Sequence, residues 1–94
     1  MIVAVDYDGT LFAAGEMNHR LISDLKNAQR RGDIVILWTC RAGASLKEAV
    51  SALAKEGFFP NFINQNAPAV VRTLGHDTRK VFADLYIDDR SVKP

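Results

Sequence analysis

Residues 2–5 and 34–38 are unbroken apolar runs rich in β-branched side chains, the pattern of strands covered on both faces. Between them, residues 17–31 carry Met17, Leu21, Leu25 and Ala28 at spacings of one helical face. Arg30 and Arg31 fall in the last turn, where cations suit the helix dipole, and Gly32 is placed to end it. A second helix is predicted from Ser45. Ser45 and Glu48 make a Ser-x-x-Glu capping pattern; Leu46, Ala49, Val50, Leu53 and Ala54 follow at helical spacing, and Gly57 closes it. Residues 62–66 (FINQN) predict a third strand, and residues 85–87 a fourth that ends on Asp88 and Asp89. Residues 6–15, with two glycines, read as a loop, 67–78 as part loop and part short helix, and 79–83 as a helical turn.

The order strand, helix, strand, helix, strand, irregular segment, strand predicts one α/β domain over residues 1–94. Its expected form is a three-layer sandwich with a mostly parallel, Rossmann-like sheet and helices on both faces. Ligands of such sheets bind at the carboxyl ends of the strands. The polar clusters DYDGT, TCR and DDR all fall there.

Composition narrows the partners. With 94 residues and 48% hydrophobic content the chain is one small globular domain, near the lower limit for a single apolar core. Twelve basic against 11 acidic residues leave a net charge of +1, which favours neither nucleic-acid nor membrane binding. One cysteine, Cys40, excludes an internal disulfide and fits a reducing, cytoplasmic setting. No signal peptide is read at the N-terminus, and no apolar stretch approaches the roughly 18 residues of a membrane helix.

Asp6 and Asp8 raise the central chemical question. On an extended chain, residues i and i+2 face the same way, so two carboxylates would share one side of a strand end. Such a pair calls for a cation, and Mg²⁺, which takes oxygen ligands and keeps waters and phosphate in its shell, suits it. Asp88 and Asp89 can complete the site. Gly9 permits a sharp turn and close approach to a ligand, and Thr10 is placed to bond back to the loop. Thr39 offers a hydroxyl and a backbone N–H to phosphoryl oxygens, and Lys80 supplies a compact positive charge. Each feature alone is more often a solvated turn, a strand-end hydroxyl or a surface lysine. Their shared position at one sheet edge is what gives them weight.

DYDGTLF resembles the first motif of the haloacid dehalogenase superfamily of phosphohydrolases. ILWTCR resembles its second motif, Lys80 in DTRKVFADLYIDDR its third, and YIDDR its fourth, so the likeness covers residues 6 to 89. The closest pattern is that of small capless members. The resemblance implies that Asp6 is the nucleophile forming an aspartyl-phosphate. Asp8 is then the acid for the leaving oxygen and the base for water, a contribution of roughly 10²–10⁴-fold. Thr39 binds the phosphoryl group and Lys80 orients Asp6. Gly9, Thr10, Cys40 and Arg41 complete the substrate side, Arg41 as an auxiliary phosphate contact, although Cys40 on its own reads as a small packing residue. Mg²⁺ would be held by Asp6, the Asp8 carbonyl, Asp89 directly and Asp88 through water. The implied activity is Mg²⁺-dependent phosphomonoester hydrolysis on small or macromolecular phosphates.

Most relatives of that kind carry a cap domain. Here six residues separate Thr10 from Met17 and three separate Arg41 from Ser45, too few to hold one. An open site is expected, with residues 58–77 at its entrance. Four strands, where the superfamily has at least five, predict a homo-oligomer that covers the sheet. Other readings remain: a non-catalytic or weakly active binding module, a nucleotide or polynucleotide-end phosphatase suggested by IDDR, and a phospho-receiver domain, disfavoured because its acidic pair comes first. A cysteine phosphatase is disfavoured because Arg41 directly follows Cys40. His19 and His76 read as ordinary polar positions.

Overall fold

The computed structural model describes residues 1–76, 81–88 and 92–93. Along the chain come β1 (Ile2–Val5), a hairpin of β2 (Phe12–Ala13) and β3 (Glu16–Met17), α1 (His19–Arg30) and β4 (Ile34–Leu37). Then follow α2 (Gly43–Lys55), β5 (Phe62–Ile63), α3 (Pro68–Leu74), β6 (Leu85–Ile87) and β7 (Val92–Lys93). The main sheet has the order β5-β4-β1-β6-β7. Its first four strands are parallel, and β7 joins β6 antiparallel, a fifth strand that the apolar pattern did not predict.

β1 lies at the centre, with Val5 paired to Leu37 on one side and Ile87 on the other. Alternate residues of the apolar runs serve opposite faces. Val3, Val5, Val35 and Leu37 join Ile22 and Leu25 of α1 and Ala49 and Leu53 of α2 in the larger core. Ala4 and Ile36 face the other way and meet Val81 and Ala83. Both faces are therefore buried, which is why the runs show no polar alternation. Each fully buried Leu or Ile contributes about 1.5–3 kcal/mol. The chain steps from β1 to β4 to β5 in one direction, with α1 and α2 in one core. It then returns across the sheet to β6, and a right-handed connection for that return lies on the opposite face. The winding thus reverses between β1 and β6, the position at whose carboxyl edge ligands of such sheets bind.

The helices depart from their expected bounds for local reasons. α1 starts at His19 because Met17 is drawn into the hairpin opposite Phe12, and Asn18 caps the helix by accepting the Leu21 N–H at 3.1 Å. α2 begins at Gly43, so Ser45 lies inside its first turn. The Ser45 hydroxyl bonds to the Ala42 carbonyl, and the expected capping box with Glu48 does not form. The third strand ends at Ile63, since Asn64 turns to φ +53°. Gly32, Gly57 and Gly75 terminate the three helices at positive φ. Val81–Ala83 is not helical; the Tyr86 hydroxyl ties it down, donating to the Val81 carbonyl and accepting from the Ala83 N–H. Among the described residues no helix is long and apolar enough to cross a membrane.

Candidate functional site

Asp6 is the first residue past the central strand. Its N–H donates to the Ile87 carbonyl at 2.9 Å, and the Trp38 N–H donates to the Val5 carbonyl at 2.8 Å, so the ladder runs one step beyond the strands. The register then sets Asp6 between Asp88 and Trp38, with adjacent chains about 5 Å apart. Two acidic residues thereby meet at the point where the winding reverses. The Asp6 carboxylate accepts the Tyr7 N–H at 2.8 Å.

Beyond Asp6 the chain leaves extended geometry. The Tyr7 carbonyl accepts from the N–H groups of Thr10 at 3.2 Å and Phe12 at 3.0 Å, and Gly9 takes φ +82° to close the turn. The hairpin that follows replaces the expected loop. Its two-residue connection, Ala14 and Gly15, has positive φ at both positions, the pattern that matches strand twist. Strand alternation therefore does not set the orientation of Asp8. Arg41 does: its Nε donates to Asp8 Oδ2 at 2.9 Å and its Nη2 to Oδ1 at 2.8 Å, a two-pronged pair. Arg41 Nη1 donates to the Ser45 carbonyl at 3.1 Å, and the guanidinium lies 4.8 Å over the Tyr7 ring. That ring is buried and stacks on Phe12 at 5.8 Å. The hydrogen bonds from Arg41 hold the Asp8 carboxyl below the usual carboxylate range, and Asp8 raises the Arg41 guanidinium in return. Burial pushes the Tyr7 hydroxyl up, partly offset by Arg41.

Thr39 follows β4. Its N–H donates to Asn64 Oδ1 at 2.7 Å, so the backbone donor expected to meet a phosphoryl oxygen is already engaged. The Thr39 hydroxyl oxygen accepts the Arg41 N–H at 3.1 Å, which leaves the hydroxyl proton to donate. Thr10 also differs from expectation: its hydroxyl is buried and has no hydrogen-bond partner among the described residues, so no bond back to the loop forms. Cys40 is exposed rather than packed. Phe58, expected at the entrance, is fully buried in the larger core. His19 pairs with Glu56 at 2.8 Å. Lys80 and Asp89 lie outside the described residues.

The structure thus brings Asp6, Asp8, Thr39, Arg41 and Asp88 to one edge. Two contributors were missed by sequence reasoning: Tyr7, whose ring seats Arg41, and Asn64, which grips Thr39. The tolerance of asparagine for positive φ was the available signal for Asn64. Among the described residues, no group of three or more metal-type side chains forms. Asp6 and Asp88 nevertheless offer hard oxygen donors on adjacent chains, and Mg²⁺ is commonly held by one or two carboxylates plus water and phosphate. The donor set fits that ion. The side chain of Asp8 is committed to Arg41, which leaves its carbonyl as the group to offer.

No protein-family model matches the chain, and no curated protein matches it. A solved structure of a conserved protein from Bacteroides thetaiotaomicron is similar to it over 97% of this chain and 77% of that one, at 34% identity and a TM-score of 0.81. Agreement in sequence and fold over that span means that the chain belongs to the same family as that conserved protein.

Proposed function

We propose that this protein is a Mg²⁺-dependent phosphomonoester hydrolase of the haloacid dehalogenase type, working through an aspartyl-phosphate on Asp6. One observation carries the reading: Asp6 and Asp88 stand side by side at the carboxyl edge, where the sheet winding reverses. A carboxylate oxygen of Asp6 attacks phosphorus, and the bond from phosphorus to the leaving oxygen breaks. For its part Asp8 must leave Arg41 and take up a proton, which it then gives to that oxygen. Asp8 then takes a proton from water, whose oxygen attacks phosphorus and frees Asp6. The Thr39 hydroxyl donates to a phosphoryl oxygen, and Lys80 balances the acidic centre. Gly9 lets the turn approach the phosphate, while Cys40 and Arg41 border it. Asp6, the Asp8 carbonyl, Asp88 and Asp89 would hold Mg²⁺, which would neutralise phosphoryl charge. Without a cap, the site accepts large or varied phosphates.

A second reading, a non-catalytic or weakly active binding module, is favoured by the Arg41–Asp8 pair, which keeps both oxygens of the acid engaged. Hydrolysis of p-nitrophenyl phosphate by the purified chain separates the two. Turnover that requires Mg²⁺, stops with EDTA and vanishes in Asp6→Asn supports the enzyme. Absence of turnover in the wild type, with Mg²⁺ bound, supports the module.

A further inference from the structure

Asn64 is exposed and belongs to no predicted motif, yet its geometry is specialised. Its backbone adopts φ +53°, a left-handed conformation that costs most side chains energy and that persists where the surroundings require it. The turn aims its amide at both backbone polar groups of one residue. Asn64 Oδ1 accepts the Thr39 N–H at 2.7 Å, and Asn64 Nδ2 donates to the Thr39 carbonyl at 2.9 Å. The Asn64 N–H meanwhile donates to the Leu37 carbonyl at 2.8 Å, which anchors the gripping residue to β4 itself. On the other side of Thr39, the Arg41 N–H occupies one lone pair of the hydroxyl. Among the described residues, every polar group of Thr39 then has a fixed partner except its hydroxyl proton.

We infer that Asn64 is a positioning residue: its amide clamps the Thr39 backbone on both sides of its Cα so that the Thr39 hydroxyl proton is presented to an anionic oxygen at the carboxyl edge. The inference rests on the phosphohydrolase reading for its effect on rate, but the clamp itself does not. A glycine at position 64 reaches the same backbone conformation and removes only the amide, so Asn64→Gly is the informative change.

Two measurements test it. The first reads the Thr39 side chain directly by NMR, from the three-bond couplings between its γ-methyl carbon and the backbone. One rotamer is expected in the wild type and averaging over rotamers in Asn64→Gly; unchanged couplings overturn the inference whether or not the chain is an enzyme. The second is a double-mutant cycle on p-nitrophenyl phosphate hydrolysis. Asn64→Gly is expected to lower kcat/KM about 10-fold (roughly 1.4 kcal/mol) in the wild-type background, and to have no further effect in Thr39→Val. Equal losses in both backgrounds would mean that Asn64 acts through general stability, and would overturn the positioning role. Altered couplings with no turnover in the wild type would sink the phosphohydrolase reading and leave the clamp standing.

Discussion

Thr10 offers the sharpest test of the packing at the turn. It is only 8% exposed, and its hydroxyl oxygen is buried without a hydrogen-bond partner among the described residues. Its backbone is held independently of the side chain: the N–H donates to Tyr7, and the carbonyl accepts from Asn18 at 3.5 Å. Thr10→Val exchanges the hydroxyl for a methyl group of similar size and leaves those bonds in place. An unpaired buried hydroxyl costs about 1–3 kcal/mol by mutational measures. Removing it is therefore expected to stabilise the fold by about that amount. For a domain of this length, that is a rise in Tm of roughly 4–8 °C per kcal/mol. Urea unfolding should show a higher midpoint with an unchanged m-value, because the surface exposed on unfolding barely changes. Thr10→Ser is the control. It keeps the hydroxyl, loses a buried methyl and should cost about 0.8 kcal/mol. A Tm that falls in Thr10→Val would refute the reasoning, since it would mean that the hydroxyl bonds to something in solution and that the turn depends on it.

Two further outcomes follow from the same segment. Replacing Arg41 with Met removes the hydrogen bonds that depress the Asp8 carboxyl, so the Asp8 midpoint, followed by carbon-13 NMR, should move up towards the usual carboxylate range. The sign for stability follows: a depressed folded value contributes stability above the unfolded pKa of about 3.9, lost as pH falls through the folded value. With the Asp8 side chain 56% exposed, that contribution is under about 1 kcal/mol, and a fixed midpoint in Arg41→Met would contradict the pairing. Ala14 sits at φ +53° in the two-residue hairpin turn, a conformation costing a residue with a Cβ roughly 1–2 kcal/mol. Ala14→Asn, which places Asn-Gly in that turn, should recover part of it and raise Tm; a lower Tm would argue against the turn.

The parallel sheet was readable because its strands announce themselves. Residues 2–5 and 34–38 are apolar on every position, the pattern of a short strand buried on both faces. The first helix was readable from Leu25 and Ala28, which are buried as expected, although Ile22 rather than Met17 completes its inner face. What escaped was set by contacts distant in sequence. The hairpin depends on an alanine accepting positive φ, which no propensity for alanine suggests. Arg41 meets Asp8 across 33 positions, and Asn64 meets Thr39 across 25. Neither pairing leaves a local pattern, and either arginine or asparagine alone looks like a surface residue. The capping pattern at Ser45 failed for the opposite reason: the motif was local and correct in form, but the turn after Thr39 delivers the chain into the helix at Gly43.

The asparagines between residues 61 and 66 show how a strand of two residues can hold a sheet edge. Asn61 Oδ1 accepts the Val35 N–H at 2.8 Å, Asn64 grips Thr39, and Asn66 Oδ1 accepts the Phe82 N–H at 2.6 Å. Asn61 and Asn64 stand beside β4, where a longer β5 would have supplied backbone partners. A carboxylate could accept those N–H bonds, but it could not donate to the Thr39 carbonyl. It would also set a negative charge beside an edge that already carries Asp6, Asp8 and Asp88. An ammonium could donate but not accept. Only an amide offers both a donor and an acceptor for the Thr39 carbonyl and N–H, at no net charge. The two sides of the edge are accordingly built from different chemistry. On the β6 side acids gather where a cation and an anionic group are proposed to bind, and on the β5 side the neutral amide of Asn64 fixes Thr39 without adding a charge to theirs.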